Sequence, residues 1–148
     1  MSIRFQDHEV KSRLSHKRAL KTFLGQKIQA HDPRIHSTDL QYIFCSDPFL
    51  LDLNQRFLQH DELTDIISFD LGDQPDKLSA EIYISIDRVK ENAQSLGIPY
   101  EKELHRVLFH GLLHLLGYKD KSPEDKQRMR KAEDQWLKDY YNTLDHES

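Results

Sequence analysis

Hydrophobic positions along this chain fall into two kinds of run, one spaced as on a helix and one alternating as on a strand. From Glu9 to Gln29, Val10, Leu14, Leu20, Phe23, Leu24 and Ile28 recur at helical intervals among lysines and arginines, which predicts an amphipathic helix. "IRF" before it suits a short strand, and "HDPRIHST" after it is a turn-rich break. "DLQYIFCS" alternates as a strand, with Leu40, Tyr42 and Phe44 on one side and Ile43 and Cys45 on the other. Ser46 ahead of Asp47-Pro48 opens a helix in good form, carrying Phe49, Leu50, Leu53 and Phe57 and fading near His60. "TDIISFDL" and "LSAEIYISI", separated by "GDQPDK", predict a hairpin. Asp87 is then expected to cap a helix that runs to about Leu96 and stops at Gly97-Ile98-Pro99. Another helix spans about Tyr100 to Leu116 and ends at Gly117, and Ser122 before Pro123 caps a last one reaching Tyr141. Early strands, late helices and a hairpin between them predict one α+β domain over residues 1–148, with about five helices.

Composition adds little to that outline but removes several classes of function. The 148 residues suffice for one real core, and 37% hydrophobic with 31% charged residues describes a globular protein with a heavily charged surface. A formal net charge of −4 excludes a globally basic nucleic-acid binder, so any contact with a phosphate backbone must come from a local patch. Two basic clusters qualify. In "KSRLSHKRALK", Arg13, Lys17 and Lys21 form an i, i+4 ladder able to follow phosphates, whereas "KQRMRK" from Lys126 sits beside many acids and reads as a solvated helix face. Cys45 is alone and forms no internal disulfide. No secretory segment follows Met1 and no apolar run is long enough for a bilayer, so a cytoplasmic protein without membrane partners is expected.

The chemistry concentrates in "HGLLHLLGYKD", residues 110–120. Between Val107 and Leu116 the only side chains that are neither apolar nor glycine are His110 and His114. Four residues apart on a helix, the two imidazoles project from one face and can converge on a divalent metal, which takes histidine nitrogen at roughly 2.0–2.1 Å when it is zinc. Gly117 permits the left-handed turn that sends the chain back and delivers Asp120 as a third, oxygen ligand. A histidine pair of this kind can also serve only core hydrogen bonds, but the glycine turn and the downstream carboxylate favour the metal site. Zincin peptidases carry a glutamate base directly after their first histidine, where this chain has Gly111. That disfavours peptide hydrolysis and leaves reactions in which the metal itself does most of the work, such as phosphodiester cleavage.

Three segments resemble the YbeY-type endoribonucleases. "HGLLHLLGYKD" parallels that family's H-G-x-L-H-L-x-G-Y-D-H, "LNQRFLQHDELTDIISF" its L-N-x-x-Y-R-x-x-D-x-P-T-D-V-L-S-F, and "AEIYISIDRVKENA" its G-D-I-x-I-S-x-D-x-x-x-x-N-A. The resemblance implies a small mixed sheet packed against the helices, with one zinc on a central buried helix. It also implies single-strand-specific RNA cleavage, a role at the 3′ end of 16S rRNA and in ribosome quality control, and the small ribosomal subunit and its assembly factors as partners, with no role on DNA. Two departures stand out. The family's third histidine is replaced by Asp120, whose charge weakens the metal as a Lewis acid and shifts preference towards harder ions such as Mn or Fe, with Ni a further possibility. The family's arginine falls at Leu58, with Arg56 and His60 flanking it as substitutes for handling phosphate charge, His60 being freer to turn inward.

Asp65, in the middle segment, reads equally as a group that orients a ligand or handles a proton and as a turn cap. Thr64, Glu81, Ser85 and Asp87 read first as turn, hairpin-surface and cap residues, His105 as structural or exposed, and Trp136, Tyr140 and Tyr141 as packing. Three rival functions remain open: a metallo-protease or amidase, a 2-His-1-carboxylate iron oxygenase, and a non-catalytic ribosome-assembly factor with a structural metal.

Overall fold

The computed structural model describes residues 1–59 and 64–147, the last two in backbone alone. Four strands, β1 (Ser2–Asp7), β2 (Ser37–Cys45), β3 (Ile66–Asp70) and β4 (Lys77–Ser85), form one mixed sheet in the order β1-β2-β4-β3. The β1–β2 and β2–β4 pairs are parallel and β3–β4 is antiparallel. Parallel neighbours need a crossover, and α1 (Lys17–His31) supplies the one between β1 and β2. The remaining helices are α2 (Asp47–Leu53), α3 (Ile86–Leu96), α4 (Tyr100–Leu115) and α5 (Pro123–Glu147). The expected α+β architecture, its hairpin and its five helices are all present.

Strand alternation splits the sheet into two unequal faces. Leu40, Tyr42 and Phe44 of β2 and Leu78, Ala80, Ile82 and Ile84 of β4 point into the main core with α1, α3, α4 and α5. Cys45 and Ile67 point the other way, under Leu50 of α2, with Phe49, Leu53, Phe69 and Tyr83 around them. Because β2 lies inside the sheet, both of its faces are buried at Ile43 and Phe44, which its sequence alternation alone does not reveal. Trp136 and Tyr140 pack on Phe23 and Phe109, as their helical spacing suggested.

Three expectations are corrected. The helix expected from Glu9 begins only at Lys17, and Glu9, Arg13 and His16 all adopt positive φ (54–58°). Tertiary bonds win over periodicity there: the Ser12 carbonyl accepts a 2.7 Å bond from Tyr100, Ser15 donates to Glu101, and Leu14 reaches the core from an irregular loop. The proposed Arg13–Lys17–Lys21 ladder therefore does not exist, since Arg13 is not helical. The helix after Ser46 is α-helical only to Leu53, continues as a single π turn over Asn54–Leu58, and is closed by left-handed Gln59, leaving Phe57 exposed. Ser85, not Asp87, caps α3 by accepting from the Arg88 N–H at 3.2 Å, while Asp87 accepts from the Asp47 N–H.

His105, expected as structural or exposed, is buried between α4 and α5, and its Nδ1 lies 3.0 Å from the Tyr141 hydroxyl. Burial lowers its pKa to about 4, with Glu101 pulling weakly the other way. The neutral ring is favoured in the folded state, so its contribution is complete above the unfolded value near 6.5 and is lost as the pH falls towards 4. Urea unfolding of the wild type should accordingly lose about 2–3 kcal/mol between pH 7 and 4.5 on account of this group. His105→Phe should shrink that acid loss by a similar amount; an unchanged loss would show that His105 is not the group responsible.

Candidate metal centre

Helix α4 crosses the sheet face near the β3 edge, and Gly111 sets how closely. A Cβ built on Gly111 would stand 2.7 Å from Ile66 Cδ1 and 3.2 Å from Ile82 Cγ2. Glycine thus lets α4 lie close on the sheet, and any side chain after His110 would have to push back the tip of Ile66 and crowd Ile82. The expectation that the helix is buried on most faces holds, with Leu104, Val107, Leu108, Phe109, Leu112 and Leu113 all inside.

The end of α4 is a two-bond reversal. The Tyr118 N–H donates to the Leu113 carbonyl at 3.0 Å, the Gly117 N–H donates to the His114 carbonyl at 3.1 Å, and Gly117 takes φ +109°. His31 Nε2 lies 2.9 Å from the Leu116 carbonyl and fastens the turn to α1. The chain then doubles back as expected and brings Asp120 Oδ2 to 3.5 Å from His110 Nε2. Two ligands of one tetrahedral zinc, each at roughly 2.0–2.1 Å, lie roughly 3.3 Å apart, so this spacing fits a shared ion.

His110, His114 and Asp120 line one cavity of about 460 Å³, together with Asn54, Leu58, Thr64, Asp65 and Ser68. His114 is exposed on its wall, and among the described residues no three His, Cys, Asp or Glu side chains close around a single point. The structure thus joins His110 with Asp120 and leaves His114 a neighbour on the same wall.

The other nitrogen of His110 is fixed from behind. Its Nδ1 is 2.7 Å from Glu133 Oε2 of α5, a carboxylate only 2% exposed. Glu133 also accepts from Arg106 at 3.2 Å, and Arg106 grips the fully buried Glu103 with bonds of 2.7 and 2.6 Å. Burial disfavours the imidazolium of His110, but the Glu133 bond and charge outweigh it and leave its pKa raised. Burial likewise opposes the Glu133 carboxylate, and His110 with Arg106 more than offset it, so its pKa is lowered. A carboxylate engaging Nδ1 points Nε2 at Asp120, the arrangement that orients histidine ligands in metal sites.

Asp65 faces the cavity with Oδ2 3.8 Å from Arg106 Nη2, and burial pushes its carboxyl up against the opposing pull of Arg106 and His110. Thr64 behaves as the turn residue expected, donating to the Ile66 carbonyl at 3.3 Å. Arg56 does not take the part suggested for it: it is paired with Asp52 at 3.1 Å, largely exposed, and absent from the cavity wall that Leu58 helps to form. His60 lies outside the described residues. Glu133, Arg106 and Glu103 escaped the sequence reading. The signal was a glutamate in the apolar register Met129, Glu133, Trp136, Leu137, Tyr140, and an Arg106 and Glu103 four and seven positions before His110 on its own helix.

Residues 2–141 match the family model described as Endoribonuclease YbeY. Proteins named endoribonuclease YbeY from Flavobacterium psychrophilum and Bacteroides thetaiotaomicron are 54% identical over 102 residues and 39% identical over 137 residues, respectively. The first alignment covers 68% of this chain and 71% of the relative, the second 93% and 98%. The solution structure of TM1509 from Thermotoga maritima superimposes with a TM-score of 0.63 at 25% identity, over 99% of this chain and 93% of that one.

Gly111→Ala should cost about 1–3 kcal/mol, because the added methyl must displace Ile66 and Ile82 in a packed layer. Chemical denaturation measures it, and a loss below about 0.5 kcal/mol would show that the layer yields freely.

Proposed function

The chain belongs to the endoribonuclease YbeY family, and on that premise we propose that it is a metal-dependent endoribonuclease acting on single-stranded RNA in rRNA maturation. The observation that supports this most is the Glu133–His110–Asp120 line, a histidine oriented from behind with its free nitrogen beside a carboxylate at the wall of an open cavity. His110, His114 and Asp120 would hold the ion, zinc in the first instance. When bound, the ion supplies Lewis acidity to a phosphodiester oxygen and to water.

The chain's own groups do the rest. Glu133 keeps the proton of His110 at Nδ1 and the ring in one orientation. Asp65, on the opposite wall, has a carboxyl that burial keeps closer to neutrality, which suits it to hold and release a proton at Oδ2 beside the scissile bond. The hydrophobic wall of Leu58, Ile66 and Ile67 limits water around the reacting group. Peptide hydrolysis is the weaker reading, since Gly111 stands where zincin peptidases carry their glutamate base. RNA of the ribosome precursor, and through it the small subunit and its assembly factors, are the partners proposed.

Purified protein should carry about one divalent ion per chain, and His110→Ala and His114→Ala should both lose it and lose cleavage of a single-stranded oligoribonucleotide, with circular dichroism unchanged. Wild-type metal content in His114→Ala would sink the ligand assignment; full cleavage by the metal-free variants would sink the metal-dependent activity, and a protein that binds metal but never cleaves would favour an assembly factor. Glu133→Gln should weaken metal affinity roughly 10–100-fold in chelator competition while His114→Ala remains the more severe change.

A further inference from the structure

The wall of the cavity around His110 and Asp120 offers, among the described residues, little positive charge to a polyanion. Among the described residues its wall contains no lysine or arginine, and it carries Asp65 and Asp120. Leu58 is apolar on that wall, and Arg56, paired with Asp52, does not line it. Arg106, nearby, is committed to Glu103 and Glu133.

Positive charge is instead available on the far side of His110. A second, smaller cavity of about 230 Å³ shares His110 and Asp120 with the first, and its other walls include Lys126, Met129 and Arg130 of α5. Lys126 and Arg130 are one turn apart, roughly 6 Å along the helix axis, and both are exposed. The Lys126 amine has no ion pair among the described residues. Among the described residues Arg130 approaches one carboxylate, Glu133, at 3.9 Å, with its side chain 60% exposed. Glu133 is already satisfied by His110 and Arg106, so the Arg130 head is free to move. Met129, between them in sequence, is buried and fixes the helix face that the two cations flank.

Resting on the nuclease reading above, we infer that Lys126 and Arg130 form a phosphate subsite for the RNA strand next to the scissile bond, supplying positive charge that the described wall of the larger cavity lacks. The strand crosses the His110–Asp120 line: one phosphodiester sits in the larger cavity, and the neighbouring phosphates lie on α5. The segment "KQRMRK" thus has one working edge, the side that carries Lys126 and Arg130. Lys131 and Lys138 border a neighbouring cavity on the same helix, which Arg130 also touches but which His110, Asp120 and Lys126 do not line.

The test uses the metal-loaded full chain and a single-stranded oligoribonucleotide, with kcat/KM measured against salt. For two lost phosphate contacts on a single strand, the logarithmic slope should fall by about 1.4 in Lys126→Ala/Arg130→Ala, and KM should rise on the order of tenfold or more. Metal content should stay at the wild-type level. Lys126→Arg/Arg130→Lys should keep most of the slope, and Lys131→Ala/Lys138→Ala, with the same loss of charge, should leave it unchanged. Equal loss in both alanine pairs, or an unaltered slope in the first, overturns the subsite while leaving the nuclease intact. A wild type that neither binds nor cleaves RNA overturns the function and the subsite together.

Discussion

Two carboxylates, Glu103 and Glu133, are buried where α4 packs on α5, and one guanidinium stands between them. Burying a carboxylate without a partner costs several kcal/mol, so each must be answered by a donor. Arg106 answers Glu103 twice and Glu133 once; the second oxygen of Glu133 is answered by His110 Nδ1. Most of the site follows from that shortage of positive charge. With one cation for two anions, His110 is drawn into the pair as a donor, its ring is fixed, and its other nitrogen has only the cavity to face. The folding constraint and the chemical constraint are the same hydrogen bond.

Two backbone features deliver the residues to that place. The close approach of α4 to β3 and β4, allowed only by Gly111, puts His110 at the sheet edge rather than in mid-face. The reversal at Gly117 turns the chain within three residues, so that Asp120 returns to the height of His110. The antiparallel hairpin then supplies the opposite wall: Ile66 and Ser68 of β3 share the face that looks at α4, and Asp65 precedes them at its mouth. Helix α4 and strand β3 thus hold two sides of the cavity, and the loops at Asp65 and Asp120 add to its described wall.

Much of this was legible in one dimension where the cause is local. The strands, the hairpin, the Ser46 and Ser122 caps, the stop at Gly97 and the reversal at Gly117 all depend on a few neighbouring residues, and each stands where the sequence put it. Reading failed where a distant partner intervened. Residues 9–16 have helical spacing, yet the Ser12 carbonyl and Ser15 hydroxyl are claimed by the start of α4, some ninety positions on, and the backbone goes left-handed to meet them. Arg56 was placed by its nearness in sequence to position 58, whereas an i, i+4 partner, Asp52, holds it.

The sequence by itself determined the histidine pair, the turn that returns Asp120, the missing glutamate after His110 and the family, because each is written in contiguous residues with fixed spacing. Only the tertiary structure decided that His110 is oriented by Glu133, that Gly111 is a contact residue, and that Lys126 and Arg130 of α5 border a cavity with His110 and Asp120. A helix shows its periodicity in the chain, but the charge balance of a buried cluster depends on which helix lies against it. That is set by packing across more than twenty positions and is invisible until the chain has folded.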